Sequence, residues 1–296
     1  MDLAHFETQT RSQGTSSAVP TMNSVRIQAS ALSHIGKVRQ KNEDQFLIGE
    51  LSSSMQIGQS SIELPQVCFG PSALNLLIVA DGMGGHPAGE QAAALAVTSA
   101  QSFMMRALGH IGTSGFRNTE ELLRASFQAA DNAVMDASNG KALLQGMGTT
   151  MTIALVGGSE AHVAHAGDSR AYLFRERALM QLTRDHTLGQ AIRERRLVRD
   201  LPSSAENNAM DHIVTNVIGG GTAGVSPDVI RVDLRADDSL LLCSDGLTNM
   251  VSDAVITHLL ARAKGHQEAT RLLVEAALER GGKDNVTVIV AQFEIY

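Results

Sequence analysis

Five acidic sites in this chain share one local design: a short apolar run that reads as a buried strand, with a carboxylate at its end and often a glycine beside it. Leu77-Ile78-Val79-Ala80 leads into Asp81-Gly82, His162-Val163-Ala164-His165-Ala166 into Gly167-Asp168, and Leu240-Leu241-Leu242-Cys243 into Ser244-Asp245-Gly246. Lys283-Asp284-Asn285 opens the run Val286-Thr287-Val288-Ile289-Val290, and Glu43-Asp44 closes the segment that begins at Arg39. A lone Asp-Gly is most often a turn. Five such sites constrain the chain more tightly. Folded together, the acids would repel one another, and burying carboxylates unpaired is costly. A divalent cation removes the conflict, and an all-oxygen donor set suits Mg2+ or Mn2+ rather than zinc. The neighbouring glycines let a backbone carbonyl approach an ion closely.

The rest of the chain predicts sheets covered by helices. Strands are expected at Val25–Leu32, Phe46–Ile48, Leu74–Ala80, Thr149–Val156, Ala161–Ala166, Val229–Leu234, Ser239–Cys243 and Val286–Ile295, with a hairpin of Arg170–Phe174 and Leu179–Leu182 around Arg175-Glu176-Arg177. His34–Asp44 reads as a loop or strand end, Leu51–Pro71 as an irregular hairpin or insertion, and Asp81–Gly85 as a loop by its glycine content. Helices are expected at Ala88–Leu108, with a small-residue face of Ala92, Ala93 and Ala96, and at Asn118–Ala137, opened by an Asn118/Glu121 capping box. Asp253–Ala263 and His266–Glu279 complete the helices, and Asp185–Asn208 reads as a short helix plus a mobile segment. About ten strands with four or five helices favour helix-covered sheets over a bundle.

With 296 residues, 43% of them hydrophobic, and no tryptophan, the chain has an aliphatic core of substantial size. Its net charge of −7 disfavours nucleic acid as a partner. No apolar run reaches membrane-spanning length. Residues 1–24, rich in Ser, Thr and Gln, read as a disordered tail before a single domain over 25–296. Cys68 and Cys243 are expected as reduced cytoplasmic thiols, Cys243 as an inert core residue. Neither cysteine has an arginine six positions on, as a cysteine phosphatase requires: those places hold Leu74 and Asn249. A nucleophile elbow, a Walker A loop and a His-Glu-x-x-His zinc motif are also absent.

Taken in order, Gly36-Lys37-Val38-Arg39-Gln40-Lys41-Asn42-Glu43-Asp44, Val79-Ala80-Asp81-Gly82-Met83-Gly84-Gly85-His86, Gly148-Thr149-Thr150, Ala166-Gly167-Asp168-Ser169-Arg170, Leu182-Thr183-Arg184-Asp185-His186, Cys243-Ser244-Asp245-Gly246-Leu247 and Lys283-Asp284-Asn285-Val286-Thr287 resemble the bacterial members of the PPM (type 2C) metal-dependent protein serine/threonine phosphatases. The resemblance covers roughly Ser30 to Phe293. It implies an α+β fold, an αββα sandwich of two antiparallel β-sheets each covered by α-helices. It also implies two Mn2+ or Mg2+ ions. Asp81 bridges them, the Gly82 carbonyl binds one, Asp245 and Asp284 complete the first ion's ligands, and Glu43 and Asp44 serve the second. A third, weaker ion falls to Asp168 with Asp245.

By the same resemblance, a metal-activated hydroxide attacks phosphorus in line, and Arg39 grips the phosphate through its guanidinium fork. The alternative for Arg39 is a surface ion pair. Met83 stands where animal relatives carry a histidine, so the leaving-group proton comes from His86 or from a metal-bound water. Arg170 is expected to pair with an acid near the site. His162 and His165 fall on opposite faces of a strand. Met83, Met104 and Met105 read as core filler. Residues 187–227 correspond to a variable flap that tunes substrate choice, made mobile by Gly219, Gly220, Gly221 and Gly224. Phosphorylated proteins are the implied substrates, a serine/threonine kinase the counterpart, and a monomer the default. Two other readings stay open: a hydrolase of small phosphate esters, which needs a closed pocket, and a pseudophosphatase that binds phosphoproteins or a kinase without turnover.

Overall fold

A computed structural model describes residues 25–51, 55–62, 74–83, 88–111, 119–197, 210–221 and 224–295. Every strand pairing in it is antiparallel. In chain order the strands are β1 (Val25–His34), β2 (Asp44–Leu51), β3 (Met55–Ser60), β4 (Leu74–Met83), β5 (Gly148–Thr149), β6 (Met151–Gly157), β7 (Glu160–Ala166), β8 (Arg170–Arg175), β9 (Ala178–Gln181), β10 (Ile218–Gly219), β11 (Asp228–Asp233), β12 (Ser239–Cys243) and β13 (Val286–Ile295). The helices are α1 (Ala88–Ile111), α2 (Thr119–Ser138), α3 (Leu188–Leu197), the one-turn α4 (Asp245–Thr248), α5 (Asp253–Arg262) and α6 (His266–Glu279).

One sheet runs β1-β13-β12-β8-β9; the other runs β3-β2-β4-β6-β7-β11, with β5 and β10 continuing it beside the end of β4. Period-two alternation sorts the side chains into three apolar layers. Leu76, Ile78 and Ala80 of β4 meet Ala92, Ala93, Ala96 and Val97 of α1 and Phe127 and Val134 of α2. The intervening Leu77 and Val79 face Leu240 and Leu242 of β12 and Ile289 and Ala291 of β13 across the middle of the sandwich. Leu241, Cys243, Val286, Val288 and Val290 turn outward against Leu273, Val274 and Ala277 of α6 and Ile256 of α5. The alanine face of α1 brings that helix close onto its sheet. This is the expected sandwich.

The β8–β9 hairpin turns at Glu176 and Arg177, both at positive φ (50° and 65°), as a two-residue turn between right-twisted strands requires. Two expectations need correction. Asp81-Gly82-Met83 is not loop: β4 continues through it because Gly82 and Met83 pair with Thr149 and Gly148 of β5. The expected Thr149–Val156 strand is broken at Thr150, so β5 and β6 flank β4 in succession. The insertion does contain a hairpin arm, β3, paired with β2. The Asn118 cap, Cys68, His86 and the 198–209 part of the expected mobile segment lie outside the described residues.

Candidate metal centre

Antiparallel topology gathers the acids at one end of the sandwich. Asp44 at the start of β2 pairs in register with Asp81 on β4. β7 runs alongside β4 through β6 and delivers Asp168 at the same end. β12 ends, and β13 begins, with Cys243 opposite Val288, which puts Asp245 and Asp284 there too. The chain crosses between sheets twice at this end, through 35–43 from β1 to β2 and through 167–169 from β7 to β8. Arg39, Glu43, Asp81, Gly82, Asp168, Asp245, Asp284 and Lys283 line one cleft of about 860 Å3. Met83 lines it as well and is not core filler, whereas Met104 lies fully buried on the inner face of α1 as expected.

Hydrogen bonds hold the acids' backbone in place. The Asp81 N–H donates to Thr150 Oγ1 (3.1 Å), and its carbonyl accepts from the Thr150 N–H (2.9 Å) and the Thr149 hydroxyl (2.8 Å). The Thr150 hydroxyl also shares a 2.7 Å hydrogen bond with the Ser169 hydroxyl. Across the sandwich, the Ser244 hydroxyl donates to Asp44 Oδ2 at 2.7 Å while accepting the Thr287 N–H. Asn285 ties the Arg39 loop to the start of β13: its amide donates to the carbonyls of Ile35 (2.9 Å) and Lys41 (2.8 Å), and its Oδ1 accepts the Glu43 N–H (2.8 Å). Gly82 is required by packing, since a Cβ there would run into the Gly89 carbonyl at the start of α1. Gly36, at φ 84°, leaves no room for a Cβ against the Asp284 carbonyl.

The electrostatics are those of a site short of positive charge. Burial, with Asp245 and Asp284 nearby, pushes Asp44 up to about 7. Asp168 is likewise pushed up to about 7 by burial and by Asp245 and Asp185. Asp81 is held well above the carboxylate range by burial and four neighbouring aspartates, and burial with Asp284 raises Asp245. Arg39 donates to Asp284 Oδ2 at 2.6 Å, the ion-pair alternative, with its side chain 48% exposed. No set of three His, Cys, Asp or Glu side chains among the described residues is already gathered into a metal-holding group. The donor chemistry still fits hard divalent cations. The set is carboxylate oxygens and a glycine carbonyl, and the buried Asp44 Oδ1 has no hydrogen-bond partner among the described residues.

The model of the protein phosphatase 2C family matches residues 29–286. The chain belongs to the protein phosphatase 2C family. It is 36% identical over 222 residues to the serine/threonine protein phosphatase PstP of Mycobacterium tuberculosis, covering 75% of this chain and 41% of PstP, so the match spans under half of that relative. It is 34% identical over 226 residues to the serine/threonine phosphatase stp of Listeria monocytogenes, covering 74% of this chain and 85% of stp. The solved catalytic domain of PstP in complex with two manganese ions superposes with a TM-score of 0.70 at 32% identity, over 91% of this chain and 99% of that one.

Other family motifs acquire places in the fold. Arg170 forms a two-pronged pair with Asp185 (2.8 and 2.6 Å), as expected of it. His162 is half-buried and His165 fully buried. Cys243 is buried and free, its thiol pushed up to about 12 by burial. Gly219 is no source of mobility. Its N–H donates to Asp131 at 2.7 Å, and it pairs with Gly148 where a Cβ would strike Val134. Ser244, Asn285, Thr150 and Asn249, which donates to Asp245 Oδ2 at 2.9 Å, were not singled out from the sequence. Ser244 and Asn285 each adjoin an acid that was. The cleft-lining Asp211 and His212 carried no local signal.

Proposed function

We propose that this chain is a protein serine/threonine phosphatase that works with two Mn2+ or Mg2+ ions and a third, weaker one. The observation that carries this is the convergence of five aspartates from separate segments at one end of the sandwich, four of them (Asp81, Asp168, Asp245 and Asp284) lining a cleft that also presents Arg39. Asp81, Asp245 and Asp284 would hold the first ion; Asp81, with Glu43 and Asp44, would serve the second; the Gly82 carbonyl would bind one of these two, and Asp168 with Asp245 would hold the third. Bound ions neutralise phosphoryl charge and acidify water at the site. Arg39 turns from Asp284 to the phosphate and orients it through two parallel N–H donors. Thr149 and Thr150 fix the Asp81 backbone, and Asn285 fixes the loop that carries Arg39. His86 is one candidate donor of the leaving-group proton; an unchanged rate in His86→Ala removes it.

A cleft of about 860 Å3 with a half-exposed arginine at its rim suits a phosphorylated side chain on a polypeptide better than an enclosed metabolite. Every acid expected of an active member is present, which disfavours the pseudophosphatase. Residues 187–227 act as the variable flap of a single domain over 25–296 and set peptide preference, with a serine/threonine kinase supplying the substrate. No helix among the described residues is long and apolar enough to cross a membrane; we place the chain in the cytoplasm as a monomer. The test compares kcat/KM for a phosphothreonine peptide and a small phosphate monoester with Mn2+ present. Preference for the peptide supports the reading. Preference for the monoester transfers the site to metabolite hydrolysis.

A further inference from the structure

His186 closes the motif Leu182-Thr183-Arg184-Asp185-His186, and the chemistry above gives it no role. It is 8% exposed. Its Nδ1 lies 3.3 Å from the Gly167 nitrogen and 3.0 Å from Asn216 Nδ2, and its Nε2 lies 3.0 Å from Asp228 Oδ2. The Gly167 and Asn216 groups are both donors. Nδ1 therefore accepts, and the ring proton sits on Nε2, donated to Asp228. The backbone N–H of His186 also donates to the Gly167 carbonyl at 2.7 Å. A second histidine meets that carbonyl: His165 Nε2–H donates to it at 2.9 Å while Nδ1 accepts from the Thr152 hydroxyl. The two rings lie 5.0 Å apart. Gly167 sits at φ 115°, where a Cβ would collide with Thr150. Two buried histidines thus clamp both polar atoms of the residue that immediately precedes Asp168.

The same histidine is tied to the wall of the cleft. Its carbonyl accepts from the Thr215 N–H (2.8 Å) and hydroxyl (3.0 Å), Thr187 bridges to Val214, and Asn216 is itself bound to the Ser226 backbone. His212 and Val214 of this segment line the cleft with Asp168.

We propose that His186 is a positioning residue: by accepting the Gly167 N–H at Nδ1 it aims the Asp168 carboxylate at the weak third cation, and through Asn216 it links that aim to the 212–216 wall. The inference rests on the reading of Asp168 as a ligand of that ion. Side chains that orient metal ligands without touching the metal commonly carry such effects on affinity.

The test is a Mn2+ titration of the full chain followed by electron paramagnetic resonance of free Mn2+, which resolves tight and weak binding without an activity assay. His186→Gln keeps a donor near Nε2 and lacks an acceptor at Nδ1; His186→Asn places its carbonyl oxygen where Nδ1 stood. The weak site should loosen by about ten-fold in His186→Gln, with the tight ions unmoved, and return close to wild type in His186→Asn. A general loss of structure would not be rescued by that choice of amide. If His186→Gln does not fold, as judged by its melting curve, Asn216→Ala should weaken the same site in the same direction. Unchanged weak binding in a folded His186→Gln, or in Asn216→Ala where His186→Gln does not fold, overturns the inference, as does equal loss in His186→Gln and His186→Asn. Asp168→Asn, titrated in parallel, separates the two claims. If it leaves the weak ion in place, the ligand reading itself fails and takes the inference with it.

Discussion

Arg39 and Asp284 form the most exposed of the contacts that define the centre, and they show how one side chain serves two states. At 2.6 Å the guanidinium neutralises one carboxylate of an acid-rich site. When phosphate is the partner, the same planar fork is needed for two oxygens at once, which an ammonium does not supply. Arg39→Ala should therefore raise KM for a phosphopeptide and lower kcat/KM by roughly 10–100-fold, the loss of a charge-assisted bidentate contact, and Arg39→Lys should recover little of it. Steady-state kinetics on the three proteins check this; full recovery in the lysine variant would reduce the contact to simple charge. At this scale the acids and Arg39 were legible in the sequence, because each sits in a short run whose composition is unusual by itself. Ser244, Thr150 and Asn285 were not. Their partners lie 200, 69 and about 250 positions away, and nothing local marks a hydroxyl or amide that will meet a distant backbone.

Among the elements, the loop 35–43 has the least secondary structure of its own and carries the phosphate-gripping arginine. Its position depends on Asn285, which is 5% exposed and makes three hydrogen bonds to it. At about 1 kcal/mol each, Asn285→Ala should cost about 3 kcal/mol. That corresponds to a melting point lower by roughly 6–12 °C for a domain of this size. A calorimetric scan checks it, and a drop under about 2 °C would show that the loop is held by other means. Strand and helix patterns were mostly readable because alternation along β4, β12 and β13 sorts residues cleanly into two apolar layers. The extension of β4 through Asp81-Gly82-Met83 was not. Glycine content argued for a loop, and only the tertiary pairing with β5 overrides it. The same holds for Gly219, whose glycine is demanded by a close approach to Val134 rather than by motion.

For the whole molecule, the clustered acids make stability depend on pH and on cations together. Asp44 and Asp168 have folded-state values of about 7 against an ordinary 3.8. Between those values the folded state binds more protons than the unfolded one. The cation-free protein therefore loses stability from these groups as pH rises from about 4 to about 7, and the loss is complete above 7. Ions that replace those protons should relieve it. The rise in melting temperature on adding Mn2+ should be larger at pH 8 than at pH 6, and equal shifts would mean that these carboxylates do not meet the ion. The sandwich end supplies the site only if the acids act as a unit with metal. Hydrolysis of a phosphothreonine peptide measured after EDTA treatment, then with added Mn2+, in the native chain and in Asp245→Asn, tests this most directly. The account predicts turnover only with Mn2+ and its collapse, by at least about 100-fold, in a folded Asp245→Asn. Turnover that survives EDTA, or an Asp245→Asn chain as active as the native one, would contradict it.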